Sequence, residues 1–195
     1  LSTARLARAS AAADPRLDSI SPPRIAVLVG GDSRHHRFTD PDVQGFVAGL
    51  ANWTRIGARL MITTSRRTPP ALAEALSNMA AGGGHFFWDG TGDNPLATML
   101  GRAEAIVVTA DSTNMIGEAT ATGRAVHVFH PSGGHAKIGM FLSGLAEMGI
   151  VHPFPGPLKT TTYEPLNSTP EIAAAIRNAM RQREAAGRTN SDHQP

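Results

Sequence analysis

Five short apolar runs, each followed by a polar loop and then by a stretch with helical spacing, constrain this chain more than any other feature. The runs are RIAVLV (24–29), RLMITT (59–64), HFFW (85–88), AIVVTA (105–110) and AVHVF (125–129). Continuously apolar strands of this kind suit a parallel sheet buried on both faces, because the crossover helices cover both sides. The intervening segments supply those helices. Asp40-Pro41 offers an N-cap and a first-turn proline, with Val43, Phe46, Val47 and Leu50 at helical spacing and Gly57 as a stop. Pro69-Pro70, Asn94-Pro95, Ser112 or Thr113 (to about Thr122, with Gly123 after it) and Lys137 (to Met148) open four more helices. Strand–helix repetition of this kind predicts an α/β fold, a Rossmann-like doubly wound parallel sheet.

The rest of the chain is assigned by default. Residues 1–21, Arg- and Ala-rich, are expected to be an N-terminal extension: the end of a helix from a preceding segment, then a linker closing at Ser21-Pro22-Pro23. A transit-peptide reading of the same stretch is weaker. Residues 22–186 form the expected domain. The stretch HPFPGPLKTTTYEPLN (152–167) reads as irregular, Thr169-Pro170 opens a final helix to about Glu184, and 187–195 is expected to be a polar, disordered tail.

In a doubly wound sheet, ligands sit beyond the carboxyl ends of the strands. The loops there are GGDSRHHR, TSRRT, WDGTGDN, ADSTN and HPSGGHAK. All are polar, whereas the connections leading into the strands are bland. Gly30 and Gly31 allow close approach of the backbone, and the N–H groups of such a loop suit phosphate oxygens. Asp32, Ser33, Arg34, His35 and Arg37 complete that loop. Arg34 and Arg37, with Ser65, Arg66 and Arg67 one loop over, offer hydroxyl and bidentate guanidinium contacts. The competing reading is a glycine turn bearing solvated charges. In the fourth loop Asp111 and Ser112 stand at a helix entrance that suits an anion, with Asn114 in its first turn. Met115 and Glu118 share one helical face. A glutamate there can accept from two ribose hydroxyls; equally, it can be an exposed residue of a capped helix.

Several functions are excluded or left without support. There is no cysteine, hence no disulfide and no thiol chemistry. No metal-ligand spacing occurs, so no metal or resident cofactor is expected. The net charge is +2 with no long basic face, which argues against nucleic acid. No stretch approaches the ~18 apolar residues of a membrane span. The first loop is neither a P-loop nor G-x-G-x-x-G. Tyr163 is the one tyrosine and Asn167 stands four residues on, so the Tyr-x-x-x-Lys pair of short-chain epimerases and reductases is absent.

"VLVGGDSRHHRF", "MITTSRRTPP", "FFWDGTGDNP", "VVTADSTNMIGEATATGRAVHVF" and "PLNST", in that order, resemble bacterial relatives of the plant mitochondrial fission (elongated-mitochondria) family, over about residues 22–180. That family is in turn similar to the GT-B glycosyltransferases. The resemblance implies a donor-binding second half that holds a nucleotide or nucleotide sugar. Gly30, Gly31 and Ser33 would then meet phosphate, and Ser112, Glu118 and Ala119 would meet phosphate and ribose. It also implies that the acceptor site and the base belong to a missing N-terminal half, so that this chain alone is inactive. If an enzyme, the whole is a GT-B-type glycosyltransferase. The alternative class is a non-catalytic scaffold for a protein or membrane partner. A bacterial cytoplasmic location, with peripheral membrane attachment as an option, is implied with it.

Overall fold

The computed structural model describes residues 3–165. The expected final helix and polar tail lie outside the described residues. In chain order the elements are α1 (Thr3–Ala11), α2 (Pro15–Asp18), β1 (Arg24–Val29), β2 (His36–Arg37), α3 (Asp40–Arg55), β3 (Arg59–Thr64), α4 (Pro70–Ala81) and β4 (Phe86–Trp88). There follow α5 (Leu96–Arg102), β5 (Ala105–Thr109), α6 (Thr113–Thr120), β6 (Ala125–Phe129), β7 (Ser132–Gly133), α7 (Ala136–Glu147) and β8 (Val151–Phe154).

Six strands form one sheet in the order β4-β3-β1-β5-β6-β8, and every neighbouring pair is parallel. The sheet is doubly wound: the chain runs outward from β1 through β3 to β4, crosses back, and runs outward again through β5, β6 and β8. The order reverses between β1 and β5, which makes the strand ends there the topological switch point, where ligands of doubly wound sheets usually sit.

Alternating residues of the strands feed two cores. Ile25, Val27 and Val29 pack on one face with Phe46, Leu50 and Trp53 of α3 and Leu72 and Leu76 of α4. Ala26 and Leu28 pack on the other face with Met99 and Leu100 of α5, Ile116 of α6 and Leu142 and Leu145 of α7. β1 and β5 are buried along almost their whole length, as strands covered on both faces must be.

Three local expectations are corrected. The N-cap of α3 is Thr39, not Asp40: Thr39 and Asp42 form a capping box, because Asp42 at N3 reaches back to the Thr39 N–H at 2.8 Å. Val151–Phe154, expected to be irregular, is a sixth strand. Among the described residues it pairs only with β6, and an edge strand tolerates Pro153 because one side of its backbone needs no partner. The segment before residue 22, expected as the end of a helix and then a linker, is helical at Thr3–Ala11 and packs into the domain, burying Leu6, Leu17 and Ile20 in the second core. Arg102 holds it in place, donating to Ala12 O at 2.6 Å and pairing with Asp18 at 2.8 Å. Apolar residues at wide intervals in an Ala- and Arg-rich stretch leave too little periodicity to announce that packing.

Candidate functional site

Two loops meet at the switch point, beyond the carboxyl ends of β1 and β5. Each continues a buried strand, so the ends of β1 and β5, held in register by their pairing, fix the loop positions. Gly30 N–H donates to the Thr109 hydroxyl oxygen at 2.8 Å, and Gly31 N–H donates to Asp111 Oδ2 at 2.9 Å. The Thr109 hydroxyl in turn donates to Asp111 Oδ1 at 2.6 Å. A third loop, after β3, joins them. Arg67 reaches Asp111 Oδ2 at 3.3 Å and Asp32 O at 2.9 Å, and its own carbonyl accepts Asp32 N–H at 3.1 Å. The Thr68 hydroxyl donates to Gly30 O. The Asp111 side chain is 0% exposed, Arg67 about half exposed.

The two glycines are needed for this contact within the chain. A Cβ on Gly30 would overlap the Asp111 carboxylate, and one on Gly31 would overlap the backbone carbonyl of Arg67. The close approach expected of a ligand is made here by the protein itself.

The remainder of the first loop is also largely self-bonded. Ser33 N–H donates to His36 O at 2.9 Å, and Ser33 Oγ accepts N–H groups from His35 and His36 at 3.3 and 3.1 Å. Asp32 accepts from Phe38 N–H at 2.9 Å and lies 3.6 Å from Arg37. His36 and Arg37 form β2, which pairs antiparallel with β7 of the fifth loop. That short ribbon brings the His35 and His135 rings to 4.6 Å between centroids. Partial desolvation lowers the pKa of His35, and nearby His135, Arg34 and His36 lower it further. His130 is lowered by burial and then by His36. His135 Nδ1 accepts the Lys137 N–H and caps α7. In the loop after β3, Ser65 folds back on itself: its N–H donates to Thr68 Oγ1 at 2.9 Å and its Oγ accepts Arg67 N–H at 3.1 Å.

Other expected residues stand open. Arg34 and Arg66 are exposed and, among the described residues, make no hydrogen bond or ion pair. Ser112 caps α6 by accepting Met115 N–H at 3.4 Å. Thr113 and Asn114 are exposed in a first turn whose N–H groups have no intrahelical acceptor. Met115 is partly buried against the second core. Glu118, one turn further, is half-buried and likewise without a hydrogen bond or ion pair among the described residues.

Thus Gly30, Gly31, Asp32, Ser33, Ser65 and Asp111 converge into one bonded network, while the side chains of Arg34, Arg66, Asn114 and Glu118 have no hydrogen bond or ion pair among the described residues. Thr109 and Thr68 belong to the network and were not singled out from sequence. A threonine closing an apolar run, directly before a polar loop, was the available signal for Thr109. Among the described residues no group of three or more His, Asp or Glu is placed to hold a metal ion, and no helix is long and apolar enough to cross a membrane.

The fold and the loop contacts define a class: a doubly wound, Rossmann-like α/β domain with its polar loops gathered at the switch point. Within that class the chain belongs to the mitochondrial fission ELM1 family, whose model matches residues 1–180. It is 29% identical over 181 residues to the mitochondrial fission protein ELM1 of Arabidopsis thaliana, covering 91% of this chain and 42% of that protein. It is 28% identical over 166 residues to the uncharacterized protein RP120 of Rickettsia prowazekii (strain Madrid E), covering 80% of this chain and 46% of the relative. The chain therefore spans less than half the length of these curated relatives.

Proposed function

We propose that the switch point between β1 and β5 binds a nucleoside diphosphate or nucleotide sugar, in the manner of the donor half of a GT-B glycosyltransferase. The observation that carries this reading is Glu118, a half-buried carboxylate with no partner among the described residues, one turn inside a helix that opens at the switch point. A structural carboxylate would be expected to have acquired a donor, as Asp42 and Asp111 have. In this reading Glu118 accepts the two ribose hydroxyls. The first-turn N–H groups of α6, with Arg34 and Arg66, meet the diphosphate. Met115 lies beside the ligand on the same helix face. Glycosyl transfer would require an acceptor site and a base from a second unit, as in the GT-B arrangement, so this chain alone is expected to bind without turnover.

The test is calorimetric titration of UDP-, GDP- and ADP-sugars into the wild type and Glu118→Gln. Charge-assisted hydrogen bonds are worth about 1.5–3 kcal/mol each, so affinity should fall roughly tenfold or more, at a decade per about 1.4 kcal/mol. A 2′,3′-dideoxy nucleotide, which lacks both hydroxyls, should bind weakly and be nearly indifferent to the substitution. Absence of binding by any nucleotide to the wild type would leave the family's other reading, a scaffold for a protein or membrane partner.

A further inference from the structure

The donors gathered on Asp111 are those a phosphoryl group would use. A main-chain N–H from the loop after the first strand, a hydroxyl from the end of the neighbouring strand and a guanidinium from the next loop converge on its two oxygens at 2.6–3.3 Å. Glycine-loop N–H groups and arginine are common partners of phosphate. Here the carboxylate is fully covered, and the backbone at Gly30 is packed against it. The other loop donors are also in use: Gly30 N–H on Thr109, Asp32 N–H on Arg67 O and Ser33 N–H on His36 O.

We propose that Asp111 is a built-in anion, occupying the phosphate seat at the switch point and latching together the loops after β1, β3 and β5. The glycine loop then binds the chain's own carboxylate and takes no phosphate from solution. An incoming diphosphate is left with the first turn of α6 and the unpaired Arg34 and Arg66. The latch stands whether or not a nucleotide binds; where both hold, it decides which residues meet the phosphates.

The idea separates from an ordinary ion pair by what should replace the carboxylate. Removing the Asp111 side chain leaves the N–H, the hydroxyl and the guanidinium facing an empty, anion-shaped space, which inorganic phosphate or sulfate should fill. A ligand that binds only the folded state raises stability by mass action. The experiment is thermal melting of the full chain, wild type, Asp111→Ala and Asp111→Asn, in phosphate, sulfate and chloride at matched ionic strength and pH 7.5. Alongside it, the Gly31 amide resonance of the wild type is followed through a phosphate titration.

Asp111→Ala should melt lower in chloride and recover much of the loss, saturably, in phosphate or sulfate. Asp111→Asn, whose amide still fills the seat, should not recover. The wild type should show no anion-specific gain, and its Gly31 amide should stay in place. A Gly31 shift that saturates with phosphate in the wild type would overturn the proposal. So would an Asp111→Ala protein that melts like the wild type, one that ignores phosphate, or equal recovery of both variants. If Asp111→Ala is insoluble in every buffer, the wild-type amide titration decides alone. The probe is inorganic phosphate throughout, so a failure to bind nucleotide sugars would count against the nucleotide reading and leave this one standing.

Discussion

The two sides of the switch point, the loop after β1 and the amino-terminal turns of α6, look alike in sequence and differ in what their polar groups do. Both are short, polar and placed at the carboxyl edge of a central strand. In the first, most polar groups already have partners inside the chain: Gly30, Gly31, Asp32 and Ser33 all donate through the backbone to protein acceptors. In the second, Ser112 alone is committed, as a cap, and Glu118 makes no polar contact among the described residues. A polar loop at a ligand-binding edge can thus be part of the scaffold that aims a site. Free valences, more than composition, mark where a ligand has something to gain.

The largest expected effect breaks the first side. Gly31→Ala drives a Cβ into the Arg67 carbonyl, a backbone atom that cannot swing away. Overpacking of this kind costs about 3 kcal/mol, and denaturant unfolding should report the loss with little change in slope. A variant as stable as the wild type would show that the loop has slack and that the network is not a latch.

A second loss, of similar size, belongs to neither side and must be separated from both in any pH study. His127 is buried against Trp53 and His152, and burial lowers its pKa from the ordinary 6.5 to about 4. The unfolded imidazole takes a proton below pH 6.5 while the folded ring refuses it until about pH 4. Stability is therefore full above 6.5 and falls between 6.5 and 4, by about 3 kcal/mol at roughly 1.4 kcal/mol per unit. His35, His85, His130 and His152 are shifted the same way and add to the slope. Unfolding of the wild type and His127→Leu at pH 7.5 and 4.5 isolates the share of His127: the acid loss should shrink in the variant. An unchanged loss would remove burial of this ring as its cause.

The contrast also shows what the sequence could carry. The strands were legible because a parallel strand buried on both faces is mostly apolar along its length, and AVHVF and RLMITT coincide with β6 and β3 to the residue. Topology followed from strand–helix repetition. β8 was missed because an edge strand is freed from that rule and admits Pro153; the N-terminal helix was legible but its packing was not, because the single buried leucine of α1, Leu6, gives no period. In the candidate site, residue types drew attention to polar loops that do meet at one edge of the sheet. They did not reveal which polar groups were already spent, since Asp111 and Glu118 are equally acidic on paper and the difference lies in donors brought from residues 31, 67 and 109. Long-range pairing of that sort leaves no local pattern.

The effect of Glu118→Gln comes next: roughly tenfold in nucleotide affinity, about 1.4 kcal/mol, with the melting temperature of the empty protein unmoved because no donor among the described residues depends on the carboxylate. A large drop in melting temperature, with normal binding by the folded remainder, would move Glu118 to the committed side of the comparison.

The smallest effect has the opposite sign and tests the open side. Gly117 sits within α6 between Ile116 and Glu118, and a Cβ added there meets nothing within 4 Å beyond the helix itself. Its backbone is helical and its φ is not positive, so alanine can adopt the same conformation without strain. Gly117→Ala should then stabilise the domain by about 0.5–1 kcal/mol, from the entropy glycine loses in a helix and the higher helix propensity of alanine. The same one-carbon addition that breaks the loop after β1 should tighten the helix facing it. Chemical unfolding measures the gain, and nucleotide titration of the same variant reads the site. If the empty space beside Gly117 is where a ligand lies, the methyl group will weaken nucleotide binding while it raises stability. If affinity is unchanged, the ligand passes along another face of α6, nearer Glu118 and Asn114. A loss of stability would mean that α6 needs the freedom of glycine at this position, and that the open side of the switch point is under constraint as well.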